Sequence, residues 1–408
     1  MRVRPLGGDR AGEMRITRFL RNAAVTIEEM VREAASRTAE RCHDREVLVI
    51  QDTTVVRSAG GGGDYLHAVV ALDASDGALL GLVDGSFLSR SSGKRAARRA
   101  LPIEEKESFR WLEGADHAAS VCAGARRITI IADREGDIYE AFALRPDTAD
   151  LLVRSAQDRS LEDGGLVFAA LDALPPGGQA DLDLPAQPGR RQRTAKLEIR
   201  FATMRLARPS RRFRTGLPES LEVQLVDVRE VSPPPGAPPL HWRLLTTQPV
   251  EDVLQAWAVV ERYRKRWAIE QLFRTLKTQG FDIEGIRIEE PAPRDKLITA
   301  ALIAAVAVQQ LLHARDGGPG PLRPCTDAFQ PEDIPILEAF CAELEGKTLK
   351  QKNPHPRGSL AYAAWVCARL GGWNCYYGKP GPVVILQGWL DIQAAIRTAH
   401  ILRLKHEV

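Results

Sequence analysis

Tyr263, Arg266, Glu270 and Lys277 stand in a stretch from Glu251 to Gln279 that contains neither Gly nor Pro. On a helix of 3.6 residues per turn, Arg266, Glu270 and Lys277 fall at about 300°, 340° and 320° from Tyr263, so the four side chains share one narrow face. That face mixes an acid, two cations and a phenol, whereas a core stripe would be apolar. Two further acids follow apolar runs: Asp52 after Val47-Leu-Val-Ile50 and Gln51, and Asp133 after Ile128-Thr-Ile-Ile-Ala132. In an open α/β sheet, functional groups gather where strands end, so an acid closing each of two buried strands is well placed for chemistry. Plainer roles exist for each residue. An Asp after a strand commonly starts a turn, and Arg266 with Glu270 at i,i+4 is a surface pair worth about a few tenths of a kcal/mol.

The elements that would position these groups follow from the patterning. A capping box, Thr26-x-x-Glu29, announces a helix from Ile27 to about Cys42. Val47 to Ile50 reads as a buried strand, and Tyr65 to Leu72 and Ala78 to Val83 as two more, separated by the turn-like Asp73-Ala-Ser-Asp-Gly77. A helix is expected over Glu104 to Cys122, a strand over Ile128 to Ala132, and a helix from the capping box Asp137-x-x-Glu140, with Asp137 as its cap. After the strand Leu151-Leu-Val153 the Pro/Gly punctuation at 175–178 and 233–239 brackets alternating stretches such as Leu221 to Val226. A long helix is expected from Val250 to Thr278 and another from about Arg294 to His313, with a helical part closing the chain. Without the middle segment, the order is that of a mixed sheet flanked by helices.

The three acidic positions and their contexts occur together. Gln51-Asp-Thr-Thr54, Asp133-Arg-Glu-Gly-Asp-Ile-Tyr-Glu140 and the Tyr/Arg/Glu/Lys signature resemble the DDE transposases of bacterial insertion sequences, in their IS-four-like branch. Glu104-Glu-Lys-Glu-Ser108 with Trp111, the stretch from Trp242 to Val250, and Gly358-Ser-Leu360 through Ala368 to Gly372 are similar to that group in order and placement. The resemblance spans about 15–389, most of the chain. It implies an α/β fold, a ribonuclease-H-like mixed sheet with a mostly β insertion before the last catalytic helix, plus helical N- and C-terminal parts. The expected division is an N-terminal helical segment that binds element ends (1–45), a first part of the catalytic core (46–155), a β-rich insertion (156–245), a second part of the core (246–315) and a helical dimerisation region (316–408).

The resemblance makes Asp52, Asp133 and Glu270 the catalytic residues and metal ligands. Hard cations such as Mg²⁺ prefer oxygen donors and keep several waters, so three carboxylates can hold a pair of ions, and Mn²⁺ can substitute. Two metals about 3.5–4 Å apart suit in-line displacement at phosphorus, cutting element ends and joining them to target DNA. Tyr263, Arg266 and Lys277 are then similar to the family's DNA-contacting residues, Trp242 to an aromatic that takes the place of a flipped base, and Arg154 to a phosphate contact. A core aromatic is the plainer role for Trp242. The implied partners are double-stranded DNA, at element ends and target, and a second copy of the chain in a homodimer. The family usually begins with a longer end-binding segment than the residues preceding Thr26, which leaves open an N-terminally shortened, noncatalytic or interfering subunit. A ribonuclease-H-like nuclease would share the acids but would not need Tyr263, Arg266 and Lys277 beside Glu270.

Bulk properties are compatible with this. The 408 residues suffice for two or three domains, the net charge is only +3, and the six cysteines show no zinc-ligand spacing. From Arg190 to Arg214 ten basic residues face one acid, Glu198, and Lys94, Arg95, Arg98 and Arg99 form a second cluster. Each reads as a solvated face or as a surface for a phosphate backbone, and in the light of the resemblance the first reads as a DNA-tracking ribbon. No apolar run of the roughly 20 residues needed to span a bilayer and no signal peptide are read, so the expected location is cytoplasmic, without a membrane.

Overall fold

The computed structural model describes residues 6–59, 62–90, 101–184, 192–209, 216–315, 317 and 320–406. The cluster Lys94, Arg95, Arg98 and Arg99 lies outside the described residues, as do Arg2, Arg4, Arg190, Arg191, Arg211, Arg212 and Arg214.

The run Val47-Leu-Val-Ile50 is buried on both sides, with Leu48 and Ile50 in one core and Val47 and Val49 in the other, as a central strand requires. It begins β1 (Glu46–Ala59), which pairs antiparallel with β2 (Gly62–Asp73), and β2 pairs antiparallel with β3 (Leu79–Arg90). On its other side β1 is parallel to β4 (Arg127–Ala132), and β4 is parallel to β5 (Ala149–Arg154). Four further strands are β6 (Gly178–Leu184), β7 (Arg193–Ala207), β8 (Ser220–Glu230) and β9 (His241–Thr246). All belong to one mixed sheet of order β3-β2-β1-β4-β5-β9-β8-β7-β6, in which the last four strands add on antiparallel beyond β5.

The helices are, in chain order, α1 (Arg10–Arg21), α2 (Ile27–Cys42), α3 (Arg110–Val121), α4 (Tyr139–Ala143), α5 (Val167–Ala173), α6 (Val253–Arg264), α7 (Trp267–Leu276), α8 (Pro291–Ala314), α9 (Ile334–Leu344), α10 (Leu360–Leu370) and α11 (Pro382–His406). One face of the sheet packs on apolar residues of α1, α2, α6, α7 and α8, the other on those of α3, α4 and α5. The end of α8 joins α9, α10 and α11 in a third cluster. The Thr26 cap is present, its hydroxyl accepting from the Glu29 N–H at 3.1 Å.

Two expected elements away from the candidate site differ. The helix foreseen from Glu104 begins only at Arg110, because Lys106 is extended (φ −96°, ψ 147°) and separates two short 3₁₀ turns. One apolar segment is longer than the sequence reading allowed: α8 is long and apolar enough to cross a membrane by length and composition. Leu297, Ile298, Leu302 and Ala305 are buried in the core against the sheet.

Gly114 of α3 shows how closely that layer meets the sheet, since a methyl group there would overlap Gln51 Oε1. Gly→Ala inside a helix ordinarily stabilises by about 1 kcal/mol. At Gly114 the opposite is expected, a loss of about 1–2 kcal/mol from overpacking, read as a lower Tm in thermal unfolding. A raised Tm would mean that Gln51 yields freely.

Candidate active site

Asp52 does not end its strand as expected; β1 runs seven residues past it, to Ala59. What ends is its neighbour. The parallel register of β1 and β4 closes at Ile50↔Ile131, and that of β4 and β5 at Ala132↔Val153. Continuing the first register by two residues sets Asp52 level with Asp133, and continuing the second by one sets Asp133 level with Arg154. The side-chain period of two puts them on the face that already holds Ile50, Ile131 and Leu152. Three adjacent parallel strands thus present an acid, an acid and an arginine in one row, where β4 has stopped and left room.

The same face is covered by α6 and α7, which replace the single helix expected from Val250 to Thr278. Between them the N–H groups of Lys265, Arg266, Ala268 and Ile269 bond three residues back, to Arg262, Tyr263, Lys265 and Arg266. This tighter winding advances about 120° per residue instead of 100°. Its sequence mark is a slip in the apolar stripe. Ala256, Val259, Val260 and Tyr263 are buried on α6, and burial resumes at Ile269, Leu272, Phe273 and Leu276 instead of at Arg266 or Trp267. The slip keeps Arg266 and Glu270 out of the core stripe.

Arg266 donates from one nitrogen to Asp52 Oδ2 at 2.9 Å and from another to Glu270 Oε1. Its guanidinium lies 5.9 Å from the centre of the Tyr263 ring. Burial pulls Arg266 down, and Tyr263, Asp52 and Glu270 more than offset it. Burial pushes the Asp52 carboxyl up to about 6 against the opposing charge of Arg266, with Asp133 and Glu270 adding repulsion. Tyr263 is buried, its phenol raised by that burial, and its ring meets Trp242 of β9 edge-on at 6.3 Å between centroids. Arg154, lowered by burial, donates to the His241 carbonyl at 3.0 Å and interacts with Tyr263. Asp52, Asp133, Arg154, Trp242, Tyr263, Arg266 and Glu270 therefore share one region.

Tyr263 and Glu270 meet at Arg266, whereas Lys277 has its partner elsewhere. It caps the end of α7 with φ −103° and ψ −94°, outside the helical region, and its ammonium pairs with Glu284 at 2.8 Å. Asp137 is not the helix cap: the residue capping α4 is Ile138. The Asp137 carboxylate, fully buried, takes the backbone N–H groups of Ala156 and Gln157 and a bond from Arg159 at 2.5 Å. It ties the segment after β4 to that after β5. Nor do the described arginines of the basic run lie free along a ribbon. Arg193 pairs with Glu230, Arg200 with Glu198 at 2.5 Å and Arg205 with Glu162 at 2.5 Å.

Sequence reading missed a buried polar group on the opposite face of the sheet. Thr53, one residue beyond Asp52, points there and meets His67 Nδ1 at 3.0 Å and Arg110 Nε at 3.2 Å. Burial, with the charge of Arg110 adding to it, drives His67 down to about 3, so the imidazole is neutral. The Arg at the head of α3, just before the quoted Trp111, was the available signal.

Among the described residues no three acidic, His or Cys side chains close around a common cation position. The donor set nevertheless suits a hard divalent ion. It is all carboxylate, one member is pushed up by burial and by its fellow acids, and the cation paired with two of them, Arg266, is a side chain that a stronger counter-charge could displace.

Residues 158–307 match the family model described as a transposase DDE domain. This window, under half of the chain, contains Trp242, Tyr263, Arg266, Glu270 and Lys277, and begins after Asp52 and Asp133. The match supports a DDE transposase function. Among solved structures, the C-terminal lobe of a budding yeast Argonaute is similar at 10% identity with a TM-score of 0.20, covering 67% of this chain and 51% of that one. The chain thus spans about half the length of that lobe.

Proposed function

We propose that this chain is a DDE transposase with a ribonuclease-H-like core, which cuts the ends of its DNA element and joins them to target DNA. The observation that carries the reading is the convergence of Asp52 and Asp133, level on neighbouring strands, with Glu270, which reaches the same region from a helix more than a hundred residues later. The order β3-β2-β1-β4-β5, with only β2 antiparallel to its neighbours, supports the core assignment.

Asp52, Asp133 and Glu270 would hold divalent metal, Mg²⁺ by preference, with Mn²⁺ as a substitute. When bound, a metal pair would supply activation of the attacking oxygen and stabilisation of the leaving one. The chain's own residues do the positioning. Arg266 and Arg154 lie beside the acids as phosphate donors, and guanidinium geometry suits two-point contact with a phosphate. Tyr263 and Trp242 form an apolar wall against which an unstacked base would rest. Cut-and-paste transposition by a homodimer, with α10 and α11 in the pairing region, completes the reading.

The test is strand cleavage by the purified chain. With duplex DNA carrying the element's terminal repeat and Mg²⁺, nicking at the element end is expected, and EDTA should abolish it. Absence of end nicking together with cleavage of branched or hybrid nucleic acid would replace the reading with a nuclease, and end binding without any cleavage would replace it with a noncatalytic subunit.

A further inference from the structure

The acids of the candidate site are fastened from behind. Thr53 offers its backbone N–H to Asp52 Oδ1 at 2.7 Å, and Glu135 offers its backbone N–H to Asp133 Oδ1 at 2.8 Å. The side chains of these same two residues are both held by Arg110. Its Nε donates to Thr53 Oγ1 at 3.2 Å and one terminal nitrogen to Glu135 Oε2 at 2.7 Å, while the other donates to the Glu107 carbonyl at 2.6 Å. Arg110 is buried at the head of α3, on the face of the sheet opposite the acids, with its guanidinium 5.0 Å from the Trp111 ring.

The Thr53 end is anchored in turn. Gln51 Nε2 donates to the Trp111 carbonyl at 3.3 Å, which leaves Gln51 Oε1 as the acceptor for His67 Nε2 at 3.2 Å. His67 Nδ1 then accepts from the Thr53 hydroxyl, whose oxygen remains free to accept from Arg110. The donor and acceptor roles close without conflict from Trp111 to Asp133.

We infer that Arg110 is a positioning residue, which fixes the spacing of the Asp52 strand and the Asp133 turn so that the two carboxylates can share a divalent cation. The inference rests on the reading of Asp52 and Asp133 as metal ligands. Partners behind a metal's ligands commonly matter by about 10–100-fold in affinity. A cation near two acids that did nothing but repel a metal would act with the opposite sign, since its removal would tighten binding. The two roles are therefore separable by direction.

The experiment is Mn²⁺ binding to the full chain, by calorimetry and by the loss of free-ion EPR signal, for wild type, Arg110→Gln, Arg110→Lys, Thr53→Val and Asp52→Asn, with thermal unfolding of each. Arg110→Gln should weaken Mn²⁺ binding by about tenfold, with Arg110→Lys recovering part of the loss. Thr53→Val keeps shape and charge, removes only the hydroxyl, and should weaken binding in the same direction. If Arg110→Gln unfolds, Thr53→Val alone decides. Unchanged or tighter Mn²⁺ binding in Thr53→Val, or in a folded Arg110→Gln, overturns the inference. So does wild-type binding in Asp52→Asn, which would remove the metal from these acids. If the wild type nicks no DNA while the binding pattern is as expected, the transposase reading fails and the positioning role stands. If it nicks DNA while Arg110→Gln and Thr53→Val bind Mn²⁺ as wild type does, the reverse holds.

Discussion

Asp133→Asn protein is expected to bind element-end DNA as the wild type does, or somewhat more tightly, and to nick it about a thousandfold more slowly. Asn keeps the volume of Asp and can still accept the Glu135 N–H through its amide oxygen, so the turn after β4 should survive. What is lost is one of three charges available to a divalent cation. A factor of a thousand corresponds to about 4 kcal/mol of transition-state stabilisation, a reasonable share for metal-assisted charge stabilisation at phosphorus. Affinity should not fall, because removing a negative charge beside a phosphate relieves repulsion. Single-turnover cleavage in Mg²⁺ on a denaturing gel, paired with a gel shift, measures both quantities. Cleavage by Asp133→Asn at the wild-type rate would remove Asp133 from the chemistry and leave its position level with Asp52 without a catalytic purpose.

Asp52 and Asp133 were legible as candidates because each follows a short apolar run of the kind a buried strand shows, and Arg266 and Glu270 because their spacing is helical. Their alignment was not legible. The register that sets Asp52 level with Asp133 is fixed by backbone pairing across 80 residues, and a one-residue slip would have sent one of them to the opposite face. The break between α6 and α7 carried neither Gly nor Pro, and its trace, the skipped turn in the apolar stripe between Tyr263 and Ile269, shows only once burial is known. Lys277 shares the angular phase of its neighbours on an ideal helix, but phase does not name a side chain's partner, and here that partner is Glu284, beyond the helix end. Asp137 had a capping spacing and a better offer: two backbone N–H groups and a buried guanidinium outcompete the single N–H of a helix start. The acids that meet the described arginines of the basic run were hidden for a related reason. The end of β8 brings Glu230 to Arg193, and the loop before α5 brings Glu162 to Arg205, acids too distant in the chain to count against the run.

Arg266→Met should expose what the arginine does in the absence of metal. The guanidinium is the shared partner of Asp52 and Glu270, and all three side chains are mostly buried. Removing it leaves those carboxylates beside Asp133 without that compensation. Breaking a fully buried pair costs about 3–5 kcal/mol, and the partial exposure here reduces the expected loss to about 2 kcal/mol. Met retains much of the stem volume, so the loss reports charge more than packing. A divalent cation added to the wild type must share the acids with Arg266, whereas in the variant it supplies the missing counter-charge. Ligand binding to the folded state stabilises by about 2.7 kcal/mol at a hundred times Kd, so the competition is visible as a shift in Tm. Mg²⁺ should therefore raise the Tm of Arg266→Met more than that of the wild type, while end nicking by the variant falls because a phosphate donor is gone. Tighter metal binding together with slower cleavage is the pattern that an arginine standing in for the metal in the resting protein, and turning to the phosphate in the working one, would produce. An equal or smaller Mg²⁺ shift in the variant would mean that Arg266 and the cation never contend for the same carboxylates.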